Sequence, residues 1–285
     1  MTTARVCDPR VCDLGEGPFW HPLRQQLFWF DITGHLLRSV EDGQPRDWPM
    51  GECASAAGWI DRDTLLIATE TGLYRFDLTT GERALVQPLE ADNPVTRSND
   101  GRTDPQGGFW IGTMGKKAEP QAGAIYRYYR GELRLLQDKI SIPNSICFSP
   151  DGTTVYWTDT PTQIILKQHL DGDGWPVTEP EVFVDLRADD FRPDGSVTDS
   201  EGALWSAQWG SARVARYLPD GTFDRALSVG GRHSSCPVFG GPDLDRMFVT
   251  TACQGIASPD AAQGLLYEVD PGVRGWPDAP VLMDS

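Results

Sequence analysis

The sequence has 285 residues, of which 39% are hydrophobic and 23% are charged, a composition that suits a globular chain with a sizeable core. Its 41 acidic side chains outnumber its 25 lysines and arginines, and the formal net charge is -16. This balance argues against nucleic acid as a partner, because binding to a phosphate backbone rests on clustered cations. No stretch approaches the roughly 18 apolar residues of a membrane span, and the N-terminus lacks the apolar core of a signal peptide. We therefore expect no membrane association and a cytoplasmic location.

Six turns recur along the chain, and an aromatic-rich segment with strand character follows each of them. They begin at His21, Asp61, Asp104, Ser149, Asp199 and Gly241. Neighbouring turns are thus about 40 to 50 residues apart, and the second half of each repeat carries the alternating pattern of a β-hairpin. Repeats of this length with several short strands indicate propeller blades. The sequence predicts an all-β fold, a six-bladed β-propeller with four antiparallel strands per blade, as a single domain over residues 1–285.

The ring of blades must close, and the two ends of the sequence suggest how. Residues 4–12 precede the first inner strand and can supply the outer strand of the last blade, beside residues 264–269. The six cysteines form no CxxC pair, so we expect free thiols, mostly packed in the core. A disulfide between Cys7 and Cys12 is the less favoured alternative.

Polar side chains recur at one position of the repeat, five residues before the turn. The six residues at this position are Glu16, Ala56, Asn99, Asn144, Asp194 and Cys236. Equivalent positions of a radial repeat face the same axis, so the polar members should line the central tunnel. Residues two apart on a strand share a face, which places Arg97 beside Asn99 and Arg192 beside Asp194. Asp100 should face the opposite way and hydrogen-bond to neighbouring backbone.

Two carboxylates and two amide oxygens on one axis would form a cluster of hard oxygen donors. Such a cluster suits one divalent ion, either Ca²⁺, Mg²⁺, Mn²⁺ or Fe²⁺, while Zn²⁺ could bind through oxygens and water. Without a cation, Glu16 and Asp194 would repel each other in a narrow tunnel. The alternative is a water-filled tunnel lined by polar side chains that hold no metal.

Five segments resemble the SMP-30/gluconolactonase/regucalcin family, in order and at suitable spacing over nearly the whole chain. They are LGEGPFW (14–20), RSNDGRTDPQGGFWIGTMG (97–115), IPNSICFSPDG (142–152), RPDGSVTDSEGALWSAQWG (192–210) and FGGPDLDRMFVTTA (239–252). The resemblance implies a six-bladed propeller that binds one divalent metal ion and hydrolyses sugar lactones. Bacterial lactonases of sugar-acid pathways look like the closer relatives.

The resemblance also implies roles for residues at the axis. It implies Glu16, Asn144 and Asp194 as metal ligands, with Asp194 also serving as the catalytic base. It implies Arg97 and Asn99 as substrate contacts.

One position departs from the family pattern. Animal members similar to regucalcin carry a substrate-touching Glu after the G-T-M motif, and Lys117 stands at the matching place here. Lys117 is therefore a candidate substrate contact, with Glu119 as the alternative, and we expect a sugar preference unlike that of the animal enzymes. Trp209 is a candidate wall of the sugar pocket.

The resemblance thus implies hydrolysis of an aldonolactone to its aldonic acid, with a small-molecule sugar lactone as the partner. Asp194 would accept a proton from the attacking water and return it to the leaving ring oxygen. The sequence leaves open where that water is held. The alternatives are a non-catalytic calcium-binding propeller and an esterase or phosphotriesterase-like hydrolase that uses the same site. The expected assembly is a monomer or a weak homodimer.

Overall fold

A computed structural model describes residues 4–284, and its strands form six four-stranded antiparallel sheets. The first strand of each blade contacts the first strands of its neighbours, so these strands form the inner ring. Blade 1 contains β2 (Gly15–His21), β3 (Gln26–Asp31), β4 (Leu36–Glu41) and β5 (Gln44–Pro49). Blade 2 contains β6 (Ala54–Trp59), β7 (Thr64–Thr69), β8 (Gly72–Asp77) and β9 (Arg83–Pro88). Blade 3 contains β10 (Thr96–Thr103), β11 (Phe109–Gly115), β12 (Gly123–Tyr129) and β13 (Glu132–Ile140).

The next two blades repeat this order. Blade 4 contains β14 (Pro143–Phe148), β15 (Thr154–Asp159), β16 (Ile164–His169) and β17 (Glu181–Asp185). Blade 5 contains β18 (Arg192–Thr198), β19 (Leu204–Trp209), β20 (Arg213–Tyr217) and β21 (Phe223–Ser228). Two short 3-10 helices, Thr160–Thr162 and Arg187–Asp189, accompany them. The predicted six-bladed propeller is confirmed. Within residues 4–284, no helix is long and apolar enough to cross a membrane.

Blade 6 joins the two ends of the chain. It contains β22 (His233–Gly240), β23 (Arg246–Ala252) and β24 (Leu266–Val269), and its outer edge is β1 (Arg5–Asp8). Arg5 lies opposite Glu268 in the antiparallel pairing, and their side chains form an ion pair at 2.8 Å. The predicted closure of the ring by the N-terminal segment is therefore confirmed.

The core lies between neighbouring blades, which explains why the second strands are almost continuously apolar. Phe28 and Leu37 of blade 1 pack with Leu65 and Phe76 of blade 2 in one buried cluster. Each middle strand is covered on both faces by adjacent sheets, so alternation of polar and apolar residues is lost there. The cysteines are free thiols as predicted, four of them buried, with Cys7 exposed and Cys253 half-buried.

The sequence pattern gave no place in the fold to the C-terminal segment after β24. In the structure this segment packs against blades 2 and 3. The Trp59 indole donates to the Asp278 carbonyl at 3.0 Å, and the Leu282 amide donates to the Gly107 carbonyl at 2.8 Å. The Asp278 carboxylate also lies 3.6 Å from the buried Arg102 guanidinium. This segment therefore links strands that are distant in sequence.

A buried aspartate organises the turn of blade 3. Asp104 accepts hydrogen bonds from the Gly108 amide at 2.8 Å, the Trp110 indole at 2.9 Å and Arg127 Nε at 2.6 Å. The side chains of Asp104 and Arg127 are both fully buried. The corresponding contacts in blade 5 are made by Asp199, Trp205 and Arg216.

Replacing Asp104 with alanine should strongly destabilise the fold. The change leaves the buried Arg127 guanidinium without its counter-charge, and such losses cost about 3–5 kcal/mol of the free energy of unfolding. Urea denaturation measures the effect. The matched control is Asp220→Ala, because Asp220 only caps the Thr222 amide in an exposed turn; its midpoint should stay near that of the wild type. Equal midpoints for the two variants would show that the buried pair does not stabilise the blade.

Candidate active site

A β-bulge interrupts each inner strand at the level of the axial side chain. In β2 the register shifts between Glu16 and Phe19, and in β14 it shifts between Asn144 and Cys147. A bulge re-aims side chains and increases the local twist. The residue after Glu16 must be glycine, because Gly17 has a φ of 51° and a Cβ there would collide with a carbonyl oxygen of blade 2. The bulges therefore set how the axial side chains enter the tunnel.

A series of hydrogen bonds runs along the tunnel wall from blade 3 through blade 4 to blade 5. Arg97 Nη1 donates to Asn99 Oδ1 at 2.8 Å, which confirms that these side chains share a face. Asn99 Nδ2 donates to Asn144 Oδ1 at 2.9 Å, and Asn144 Nδ2 donates to Thr160 Oγ1 at 2.9 Å. Thr160 in turn donates to the Pro193 carbonyl at 2.8 Å. These bonds orient both amides, with the Asn144 oxygen on the Asn99 side.

The two axial carboxylates are buried close to each other. Glu16 is 8% exposed and Asp194 is 5% exposed, and Glu16 Oε2 accepts the Gly17 amide at 3.0 Å. Burial raises the pKa of both carboxyls well above the usual range, and the charge of Asp100 raises each pKa further. Glu16 also raises the pKa of Asp194, because two negative charges repel in a site poor in water.

Asp100 follows the prediction for its contacts and adds a charge that the sequence did not reveal. Its Oδ2 accepts the Ile146 amide at 2.7 Å, which ties β10 to β14 beside the bulge at Asn144. Burial raises the pKa of Asp100 to about 6, while the Ile146 amide and Arg102 lower it. The bulge in β10 brings this face of the strand near the axis. Sequence reasoning would have had to predict that bulge to place Asp100 near Glu16.

A cavity of about 460 Å³ opens over these residues. Its base and inner wall include Glu16, Arg97, Asn99, Asn144 and Asp194. Its apolar wall includes Leu14, Met114 and Ile142, and its polar rim includes Gln163, Asp190, Arg192, Trp209 and Gln254. The volume lies within the range of small-molecule sites. The structure thus brings five of the six predicted site residues into one cavity.

Lys117 is the sixth predicted site residue, and it is exposed in the loop after β11. Its neighbour Ala118 lines the cavity, and the Lys117 amide donates to the Glu119 carboxylate at 3.0 Å. The Glu119 side chain therefore braces the loop that carries Lys117. Contact of either side chain with a substrate stays a prediction.

The donor set at the base of the cavity fits a divalent cation that prefers oxygen. Between residues 4 and 284, no three His, Cys, Asp or Glu side chains form a metal-binding group, so an ion would depend on a mixed set with Asn144. Arg97 directs its guanidinium to Asn99 rather than to either carboxylate. Two buried carboxylates with little compensation are the electrostatic situation that a bound divalent ion relieves.

The fold and the cavity together define a class of protein: six-bladed propellers with a carboxylate and amide site on the axis. The family model described as the SMP-30/Gluconolactonase/LRE-like region matches residues 14–253. The chain belongs to this family.

Named relatives align with most of this chain. An L-arabinolactonase of Azospirillum brasilense is 37% identical over 252 residues, covering 86% of this chain and 82% of that protein. A pentonolactonase of Haloferax volcanii is 33% identical over 288 residues, covering 98% and 97%. A solved structure of regucalcin, a calcium-binding protein of Agrobacterium tumefaciens, is 39% identical with a TM-score of 0.95 and covers 99% of this chain and 98% of that one.

Proposed function

We propose that this protein is a metal-dependent lactonase that hydrolyses a sugar lactone to its aldonic acid. The proposal is supported by membership of a family whose relatives include an L-arabinolactonase and a pentonolactonase. The observation that carries it is the hydrogen-bonded series Arg97–Asn99–Asn144, which lies beside two buried carboxylates at the base of the cavity.

Glu16, Asn144 and Asp194 would hold the divalent ion. When bound, the ion would supply Lewis-acid polarisation of the lactone carbonyl and stabilise negative charge on its oxygen. The hydrogen bond from Asn99 leaves the second lone pair of the Asn144 oxygen free for this task. The hard oxygen donors favour Ca²⁺, Mg²⁺, Mn²⁺ or Fe²⁺ over ions that prefer His or Cys.

Asp194 acts as the general base and then as the general acid. Its carboxylate accepts a proton as water adds to the lactone carbonyl carbon, and it donates that proton to the ring oxygen as the carbon–oxygen bond breaks. The products are the hydroxyl group and the carboxylic acid of the open chain. Its 5% exposure keeps bulk water from competing for the proton.

Arg97 and Asn99 orient the sugar. The bond to Asn99 uses only part of the Arg97 guanidinium, so further N–H groups can donate to ring hydroxyls or to the developing oxyanion. Because both side chains are buried in the cavity wall, they are held in place before the substrate binds.

Calcium binding without catalysis is the second candidate, and the description of the Agrobacterium relative as a calcium-binding protein favours it. The same three ligands would serve both functions. The placement of Arg97 and Asn99 inside the cavity supports catalysis, because a protein that only buffered metal would not need them there.

A lactone panel decides between these candidates. Chelator-treated protein is assayed with a pH indicator on pentonolactones and hexonolactones, with Mg²⁺, Ca²⁺, Mn²⁺, Zn²⁺ or Fe²⁺ added back. We expect at least one metal to restore turnover of at least one lactone. Stoichiometric calcium binding with no turnover under any condition would favour the second candidate and overturn the lactonase proposal.

A further inference from the structure

A second ring of residues lies above the axial carboxylates, and it contains two arginines at equivalent positions of the repeat. Residues two apart on a strand share a face, so each axial residue has a companion one step nearer the mouth. The companions are Leu14, Ala54, Arg97, Ile142, Arg192 and Ser234. Four of these six line the cavity: Leu14, Arg97, Ile142 and Arg192. The cations therefore belong to blades 3 and 5, and the apolar residues belong to blades 1 and 4.

The two arginines differ in what they bind. Arg97 is buried and donates to Asn99 and to the Ser98 carbonyl. Arg192 is exposed at the rim of the cavity, and within residues 4–284 its guanidinium forms neither an ion pair nor a hydrogen bond. Arg192 is thus a cation of the cavity whose donors remain available to a ligand.

A rigid aromatic wall stands beside Arg192. The pairing of β18 with β19 places Arg192 opposite Trp209. The Trp209 ring stacks on His233 with centroids 4.2 Å apart and planes at 20°, and His233 Nδ1 lies 2.9 Å from the Gln254 carbonyl oxygen. Burial lowers the pKa of His233, which favours the neutral imidazole. Arg192, Trp209 and Gln254 form what we term the arginine corner of the cavity.

The hydrogen-bond donors of this corner favour a ligand rich in acceptors. Asp190 is the one carboxylate of the rim lining, and its Oδ1 accepts Gln163 Nε2 at 2.8 Å. The guanidinium of Arg192 and the amide of Gln254 both offer N–H donors. A guanidinium forms strong charge-assisted hydrogen bonds, often bidentate, to carboxylates and to other acidic groups that carry several oxygens.

The distance of the arginine corner from Asp194 indicates which part of the substrate reaches it. Arg192 lies two residues above Asp194 on β18, which corresponds to about 7 Å along a strand. The proposed chemistry places the lactone carbonyl at Asp194. The group that meets Arg192 is therefore the end of the sugar most distant from that carbonyl.

We propose that Arg192 is a specificity-determining residue, and that it binds an acidic group at the end of the lactone remote from the carbonyl. The substrate class is a sugar lactone with a second, terminal carboxylate or sulfonate. This inference rests on the proposed lactonase function.

The test compares lactones that differ at one carbon. The 1,4-lactones of D-gluconic and D-glucaric acid share the ring and differ by a terminal hydroxymethyl or carboxylate, and a terminally sulfonated gluconolactone forms the third arm. Metal-loaded wild type should show a higher kcat/KM on an acidic lactone than on the neutral one, and the acidic lactone with the higher kcat/KM shows whether the group is a carboxylate or a sulfonate. Arg192→Gln should lower kcat/KM for that acidic lactone about 10- to 100-fold, the range of a lost charge-assisted hydrogen bond. It should change kcat/KM for the neutral lactone less than about 3-fold.

The matched control is Arg134→Gln. Arg134 is an exposed arginine on β13, outside the cavity lining, and its ion pair is with Glu132, so its loss changes the net charge equally without touching the corner. Its kcat/KM should stay within about 3-fold of the wild type on all three lactones, since an exposed charge is screened. Equal losses on neutral and acidic lactones in Arg192→Gln, or a wild-type preference for the neutral lactone, would overturn the inference while leaving the lactonase proposal intact. Absence of turnover on every lactone by the wild type would instead overturn the proposed function.

Discussion

Asp194→Asn should lower kcat/KM for lactone hydrolysis by ~10²–10⁴-fold, the range of a lost general acid–base group. Asparagine has nearly the same shape, and the Asp194 carbonyl that accepts the Ser145 hydroxyl at 2.6 Å is untouched. The variant should therefore fold while it loses the proton acceptor and one of the charges that would hold the metal. Initial rates at saturating metal measure the effect.

Metal dependence separates the two roles assigned to Asp194. If it acts as the base, excess metal restores metal content but not activity. If excess metal restores activity fully, Asp194 serves only as a ligand, and the assigned base role is wrong. Asp220→Asn, in an exposed turn, is the matched control and should keep the wild-type rate.

Removing the metal should destabilise the protein more at alkaline than at acidic pH. Burial raises the pKa of Glu16 and Asp194 in the folded chain. In the pH interval between the ordinary carboxyl pKa and these raised values, the metal-free folded state therefore binds more protons than the unfolded state. The free energy of unfolding must then fall as the pH rises through that interval. Below that pH interval both carboxyls are protonated in the folded and in the unfolded state, and buried charge no longer destabilises the metal-free protein. A metal at 100 times its Kd would restore about 2.7 kcal/mol.

Thermal unfolding with chelator and with metal, at pH 5.5 and pH 8, measures this effect. The expected result is a Tm increase on metal addition that is larger at pH 8. Glu16→Gln relieves the repulsion, so the metal-free variant should unfold at a higher temperature than metal-free wild type at pH 8 and respond less to metal. A wild-type Tm that does not respond to any of the five metals would contradict the account of the buried carboxylates.

The repeat made the fold and the axial ring predictable. Turns at a regular spacing define equivalent positions, and equivalent positions of a radial repeat must face one axis, so Glu16, Asn144 and Asp194 could be grouped without coordinates. The closure of blade 6 by the N-terminal strand followed from the same count of strands.

Other features depend on geometry that alternation does not encode. The bulges bring Asp100 close enough to raise the pKa of Glu16, although its side chain bonds to backbone as predicted. The stacking of Trp209 on His233 joins blades 5 and 6 through residues 24 positions apart, and no local pattern marks that contact. The position of Lys117 depends on a loop, where no strand periodicity applies.

The central claim is that one divalent ion occupies the axis of the propeller where the lactone is hydrolysed. Crystals of the protein soaked with Mn²⁺ test it directly through anomalous scattering. The account predicts one strong peak between the Glu16 and Asp194 carboxylates and the Asn144 amide oxygen, and a weaker peak in Asp194→Asn at the same low Mn²⁺ concentration. A wild-type crystal with no anomalous peak there, or with its principal peak elsewhere, would contradict the account.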